Sequence, residues 1–228
     1  MTRSDPTQSR LLRTVQLAMF AAIAYALAAA AHFFMPPLIP AAPFLKYDPK
    51  DVAVAIAAFL YGPLPGALVS LLVSLLEMWT ISSTGLIGCV MNVLSTVCFV
   101  CPAAWWYSRR RRLSSAVLGL IVGTLLTAGV MVLWNYLLTP LYTGMPREQI
   151  VPLLLTAFLP FNLLKGAANA ALTLLLYKPL RTALQKARLL PAPATETAVR
   201  KRPVGLWLLC GLVLVTCVLL ALSLAGIF

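Results

Sequence analysis

Long apolar runs separated by short polar segments dominate the chain, and this pattern predicts membrane-spanning helices. About 20 apolar residues are needed to cross the roughly 30 Å hydrocarbon core of a bilayer as an α-helix. The runs end at proline or glycine clusters and at a block of four arginines, residues 109–112. We predict seven spans, at residues 11–35, 48–61, 67–79, 86–107, 116–138, 150–177 and 204–228.

Composition supports the same class of protein. Apolar residues make up 61% of the chain and charged residues 11%, whereas soluble domains average roughly 45–50% apolar residues. A soluble protein of this length needs a more polar exterior. The sequence therefore predicts an all-α polytopic membrane protein and excludes a soluble enzyme or a nucleic-acid-binding protein.

The net charge of +12 is explained first by membrane topology. Residues 1–13, 109–112 and 178–203 carry three, four and seven of the 18 Lys and Arg residues. Positive residues accumulate in cytoplasmic segments, which predicts a cytoplasmic N-terminus and, after seven spans, an extracellular C-terminus. The arginine block is explained as a stop signal, with binding of anionic lipid or a partner as the alternative. Lys46, Lys50 and Arg147 are assigned to the outer side.

Lys165 is the basic residue that this assignment leaves inside a span. Asn162 lies three residues before it and Asn169 four residues after it, so the three side chains share one helix face. A buried lysine faces a cavity or pairs with another group. The stripe predicts a binding site, and the alternative is that Lys165 snorkels or forms a salt bridge for packing.

Further polar and aromatic residues fall in the predicted outer halves of the spans and in the adjoining loops. They would suit a pocket for a polar, planar small molecule. These residues are Glu77, Trp79, Ser83, Thr84, Asn135, Tyr136 and the run Phe44-Leu45-Lys46-Tyr47-Asp48.

Several of these features also have purely structural explanations. Trp79, Trp134 and Tyr136 are typical of an interfacial aromatic belt, and Asp48 is typical of a helix cap. Asn92 is explained by an interhelical hydrogen bond, and His32 by packing near the interface. The five cysteines are interpreted as small buried apolar residues, including the pair with CxxC spacing, Cys98 and Cys101.

The first span also carries Ala18, Ala22 and Ala26 at intervals of four residues. Such a small-residue surface allows another helix to approach closely. It serves either packing inside the bundle or docking of a separate membrane subunit. The chain has no Walker A motif, so any use of ATP would require partner proteins.

Taken together, five motifs resemble the riboflavin-binding substrate-specific (S) components of energy-coupling factor (ECF) transporters. The similarity covers about residues 14–184. The motifs are the run 44–51 (FLKYDPKD), the run 59–63 (FLYGP), the run 83–88 with Asn92, the pair Asn135-Tyr136 with Pro140 and Tyr142, and the run 162–165 (NLLK).

The resemblance implies a six-helix S-component bundle that captures riboflavin at the extracellular face. It assigns loop contacts to Leu45, Lys46, Tyr47 and Asp48. It assigns bonds to the isoalloxazine or ribityl groups to Asn135, Asn162 and Lys165, with Ser83 and Thr84 as weaker candidates. It also implies that Ala18, Ala22 and Ala26 dock a T subunit, that two ABC-type ATPases hydrolyse the ATP, and that the S component topples within the membrane.

The chain departs from this family after the sixth helix. We predict an N-terminal cytoplasmic segment at 1–13, a substrate-binding domain at 14–184, a basic cytoplasmic linker at 185–203 and an additional transmembrane helix at 204–228. The linker predicts that the added helix stands apart from the bundle.

Other functions remain open on the sequence alone. The alternatives to a riboflavin S component are an S component for another vitamin or flavin analogue, a membrane enzyme using Glu77, Lys165 and Asp48, and a structural scaffold. We expect a transport subunit with riboflavin as the transported ligand. We expect it to have no enzymatic activity, no metal site, no resident cofactor and no nucleic-acid partner.

Overall fold

The protein is described by a computed structural model covering residues 6–39, 45–187, 189–190 and 204–224. The described residues form helices and the segments that connect them, which confirms the predicted all-α class. The helices are α1 (Pro6–Phe34), α2 (Lys50–Tyr61), α3 (Pro63–Thr80), α4 (Gly85–Arg110), α5 (Leu113–Thr143), α6 (Arg147–Leu153), α7 (Leu159–Lys186) and α8 (Val204–Leu224). A π-helical turn, Leu154–Phe158, joins α6 to α7.

Six helical segments of the described chain are long and apolar enough to cross a membrane, and α2 is not one of them. Its 12 residues give a length of about 18 Å at 1.5 Å per residue, short of the roughly 30 Å that a crossing needs. The prediction of a complete span at 48–61 is therefore wrong. Instead α2 is an interior helix, buried at every residue from Lys50 to Phe59.

Despite its length, α2 runs antiparallel to α1. The Tyr61 hydroxyl at its end donates to Gln16 Oε1 at 2.9 Å, and Arg13 donates to the Tyr61 carbonyl at 3.0 Å. At its beginning, Lys50 contacts Glu77 near the end of α3. The chain thus returns to the level at which α1 begins, as the predicted alternation of spans requires.

Several predicted boundaries are wrong because the helices continue beyond the apolar runs. The turn predicted at 62–66 is a single residue, Gly62, whose φ of 106° lies in a region open to glycine. Pro63 then starts α3 at the position where proline costs no backbone hydrogen bond. The loop predicted at 139–149 shrinks to 144–146, and α7 extends to Lys186. Polar residues outside the lipid end a hydrophobic run without ending a helix.

Helices α4 and α5 approach each other through glycines on α5. A Cβ atom on Gly123 would lie 2.2 Å from the Phe99 carbonyl oxygen, and one on Gly119 would lie 2.7 Å from Ala103 Cα. Small residues four apart allow this backbone contact between membrane helices. The pair α4–α5 therefore depends on the absence of side chains at these two positions.

The added helix α8 packs against α7, so the expectation that it stands apart is wrong. Cys217 packs with Leu164 and Ala168 of α7, and its Sγ lies 3.9 Å from the Leu164 carbonyl oxygen. Cys210, seven residues earlier, is also buried. Two helical turns separate them, so these small side chains form one stripe that allows a close approach. Residues 225–228 and most of the predicted linker lie outside the described residues.

The glycine contact yields a first prediction. Gly123→Ala should lower the thermal unfolding midpoint in detergent, because the new Cβ forces the α4 backbone away and overpacking costs about 1–3 kcal/mol. Gly129→Ala is the matched control on the same helix, because nothing lies within 4 Å of its Cβ position. Equal midpoints for the two variants would contradict this account of the helix pair.

Candidate ligand-binding cavity

A cavity of about 600 Å³ opens among α1, the α1–α2 loop, α3, α4, α5 and α7. Its volume falls within the range typical of small-molecule sites, about 300–1,000 Å³. The structure brings together at its wall all nine residues predicted to contact a ligand: Leu45, Lys46, Tyr47, Asp48, Ser83, Thr84, Asn135, Asn162 and Lys165. Their role in binding stays a prediction.

Other residues singled out in the sequence lie elsewhere. Trp79 is 84% exposed, and Tyr136 lies under the Arg147 guanidinium at 5.5 Å from the ring centre. Neither lines the cavity, whereas His32, expected only to pack, does. Phe44 lies outside the described residues.

Lys165 belongs to an ion pair at the cavity wall. Its Nζ lies 3.1 Å from Asp51 Oδ2, and Thr96 donates to the other oxygen of Asp51 at 2.6 Å. Asn169 lies 1% exposed behind the wall and donates to Asp51 Oδ2 at 3.4 Å. Lys165 therefore forms a salt bridge and also lines the cavity, so the salt-bridge explanation is confirmed and the binding-site explanation stays a prediction.

A second buried cation, Lys50, was missed. The sequence assigns it to the outer side without indicating burial, whereas the residue is 1% exposed. Its Nζ lies 3.0 Å from Asp48 Oδ2 and 2.5 Å from Glu77 Oε2, and Asn92 of α4 donates to the same Glu77 oxygen at 2.9 Å. This last bond confirms the interhelical role predicted for Asn92, which also lines the cavity.

The α1–α2 loop is held in place by its own side chains. Lys46 donates to the His32 carbonyl at 3.0 Å, and the Tyr47 hydroxyl donates to Asn169 Oδ1 at 2.7 Å. Burial, reinforced by Asp51 and Asp48, raises the pKa of Tyr47 above its ordinary value, so this hydroxyl stays a neutral donor. Asp48 Oδ1 also accepts the Lys50 backbone N–H at 3.0 Å, so its side chain bonds to the first turn of α2, although the capping residue is Pro49 and not Asp48 as the helix-cap explanation predicts.

The two candidate amides are oriented by their own helices. Asn135 Nδ2 donates to the Met131 carbonyl, and Asn162 Nδ2 donates to the Phe158 carbonyl, both at 2.7 Å. Among the described residues Asn162 Oδ1 accepts no hydrogen bond, so this oxygen is available to a ligand. Asn162 lies four residues, about one helical turn, after the π-helical turn 154–158, and such turns frequently occur at functional sites.

Ser83 and Thr84 belong to a tight turn between α3 and α4. The Thr84 backbone N–H donates to Ser82 Oγ at 3.3 Å. A Cβ on Gly88, one turn into α4, would lie 1.9 Å from Thr84 Oγ1. The absence of a side chain at Gly88 therefore lets Thr84 lie against the helix at the cavity wall.

The apolar part of the wall was not predicted. It includes Met91 and Met131, whose flexible side chains fit irregular shapes, and the aromatic ring of Phe161. In the sequence these residues look like any other apolar residue of a span. The wall thus combines apolar surfaces with amides, hydroxyls and ion-paired lysines, which suits a flat molecule with polar edges.

The alanines of α1 divide into two faces. Ala21, Ala24 and Ala28 are at most 5% exposed and pack inside the bundle, whereas Ala18, Ala22 and Ala26 are exposed. The second set therefore lies on the surface of the described chain.

Comparison with known families identifies one match over most of the chain. The family described as "ECF transporter, substrate-specific component" matches residues 12–177. The matched region contains most of α1, all of α2 to α6, every predicted ligand contact and most of α7, but not α8.

Individual relatives show the same similarity. The chain is 30% identical to the riboflavin transporter RibU of Staphylococcus aureus, over 76% of this chain and 93% of the relative. It is 32% identical to RibU of Streptococcus thermophilus, over 68% and 77% of the two chains. A solved structure described as the S component of a bacterial ECF transporter superposes with a TM-score of 0.63 at 30% identity, covering 76% of this chain and 97% of that one.

The buried ion pair yields a second prediction. Asp51→Asn should lower the free energy of unfolding by about 3–5 kcal/mol, because it leaves Lys165 without its anionic partner. The measurement is chemical or thermal unfolding in detergent. Glu148→Gln, which neutralises an exposed carboxylate of α6, is the control and should change stability by less than about 0.5 kcal/mol. An Asp51 variant as stable as this control would contradict the prediction.

Proposed function

The chain belongs to the substrate-specific components of ECF transporters, and from this premise we propose that it captures riboflavin outside the cell and delivers it for import. Its relatives in Staphylococcus aureus and Streptococcus thermophilus are riboflavin transporters by name. It is a multi-pass membrane protein with an S-component fold.

The observation that carries the proposal is that all nine motif residues meet at one cavity wall. They come from the α1–α2 loop, the α3–α4 turn, α5 and α7, which are far apart in the sequence. Loop residue Tyr47 bonds to Asn169 of α7 across this distance. A cavity built from the family's motifs is the expected place for the family's ligand.

The chemistry of riboflavin suits this wall. Its isoalloxazine ring is flat and apolar on both faces, so Met91, Met131 and Phe161 can cover it. The ring edge carries carbonyl and nitrogen acceptors, and Lys165 and Asn135 carry donors. The ribityl hydroxyls donate as well as accept, which suits Asn162 Oδ1.

Import requires partners in this proposal. A T subunit and two ABC-type ATPases supply ATP hydrolysis, since the chain lacks a Walker A motif. The exposed alanines 18, 22 and 26 on α1 form the surface for the T subunit, because small side chains let a partner helix approach. Residues 14–184 act as the binding domain, with α8 as an added transmembrane helix behind a basic linker.

The orientation follows from charge. Gln16, near the start of α1, bonds to the Leu189 carbonyl after α7, and Tyr107, which lies under Arg111, bonds to Tyr177 of α7. The arginine block and the end of α7 are therefore near the start of α1, and the excess of basic residues in these segments assigns this side to the cytoplasm in our proposal. The α1–α2 loop and the cavity then open to the exterior.

The third prediction tests the ligand. The purified chain should retain the yellow chromophore of flavin, and riboflavin fluorescence should be quenched on titration. Asn162→Leu should raise the dissociation constant about tenfold or more, because one hydrogen bond to a buried ligand is lost.

Thr216→Val is the control for this test, since it also removes a polar group from a membrane helix but lies on α8, away from the cavity. It should bind riboflavin like the unmodified chain. No retained flavin together with no quenching would overturn riboflavin as the ligand.

The fourth prediction tests the docking surface. Ala22→Trp should abolish co-purification with the T subunit and ATPases, because the indole prevents close helix contact, while riboflavin binding persists. Leu125→Trp, at a 60% exposed position of α5, should preserve the complex. A complex that tolerates tryptophan at residue 22 would move the docking surface elsewhere.

A further inference from the structure

The two carboxylate oxygens of Glu77 have unequal surroundings. Oε2 accepts from Lys50 at 2.5 Å and from Asn92 at 2.9 Å. Oε1 is buried and has no hydrogen-bond partner in the described part of the chain. Glu77 is 4% exposed and lines the cavity, so the buried acceptor belongs to a residue of the cavity wall.

An unused acceptor of this kind requires an explanation. More than about 90% of buried polar groups in folded proteins have a hydrogen-bond partner, and the free-energy cost of lacking one is greatest for a charged group. Two other buried side-chain oxygens lack partners in the described residues, those of Ser70 and Ser74. Neither serine lines the cavity, so Glu77 is the residue of the three whose missing partner could enter with a ligand.

The protein itself holds Glu77 in this arrangement. Lys50 is 1% exposed and also bonded to Asp48, so it cannot follow the carboxylate to a new position. Asn92 fixes the same oxygen from α4. Rotating the carboxylate to satisfy Oε1 inside the protein would break both bonds, and the buried oxygen therefore stays without a partner in the described part of the chain.

We propose that Glu77 Oε1 accepts a hydrogen bond from an N–H or O–H group of the bound ligand, which makes Glu77 a specificity-determining residue. This inference rests on the proposed function and deepens it. Riboflavin offers two kinds of donor, the ring N3–H and the ribityl hydroxyls. A carboxylate acceptor favours a ligand that brings such a donor and disfavours an analogue that lacks it.

Glu77→Gln in the full chain tests the proposal. The Gln oxygen retains the bonds from Lys50 and Asn92, because both are donors, so the amide NH₂ takes the place of Oε1. An acceptor becomes a donor with almost no change of shape. The riboflavin dissociation constant, measured by flavin fluorescence, should rise about tenfold or more.

Two analogues separate a ligand contact from a structural effect. N3-methylriboflavin lacks the ring N–H, and lumiflavin lacks the ribityl hydroxyls. For at least one of them, Glu77→Gln and the unmodified chain should bind equally, which also identifies the donor. The same loss of affinity for riboflavin and both analogues would overturn the proposal, because Glu77 would then act only through Lys50.

Two further variants complete the test. Ser74→Ala, which removes an unpartnered oxygen of the same helix outside the wall, should leave all three affinities unchanged. If Glu77→Gln does not fold, the double variant Lys50→Gln, Glu77→Gln is used in its place. The double variant removes the buried cation together with the carboxylate at residue 77 that it pairs with. Unchanged riboflavin affinity in the Glu77 variant overturns this inference alone, whereas no binding to the unmodified chain overturns the proposed function with it.

Discussion

The pairing of buried charges at the start of α2 is the constraint on which the rest of the structure depends. Lys50 and Lys165 are both buried, and removing an ion from water costs several kcal/mol unless a partner compensates. Their partners come from three places: Asp48 in the loop, Asp51 in α2 and Glu77 in α3. These bonds fix the start of α2 against α3 and α7.

The cavity follows from the position at which these ion pairs hold the start of α2. The helix reaches about 18 Å from its contact with Gln16, well short of the bilayer thickness. A full-length helix would fill the remaining length of the bundle. The loop residues 45–48 and the cavity occupy it instead, so the helix that is too short to cross the membrane makes room for the cavity.

The sequence predicts much of this arrangement but not the pairing. Apolar runs identify the six long spans, and the motifs identify nine residues that the structure brings to one wall. The burial of Lys50 could not be predicted, because a charge at a helix start has the same sequence pattern in solvent and in a buried pair. Glu77 was noticed as a polar residue, but its partner is 27 residues away, and only the folded chain shows which oxygen is left unused.

The added helix α8 is compatible with both proposed surfaces. Through Cys217 and its neighbours it packs on α7, in the same apolar cluster against which Tyr47 of the α1–α2 loop packs, so it lies behind part of the cavity wall. The alanines 18, 22 and 26 of α1 stay exposed. Because α8 covers α7 and leaves this alanine face open, the added helix need not prevent a partner from docking on α1. The added helix α8 therefore lies close to the α1–α2 loop and away from the proposed contact with the T subunit.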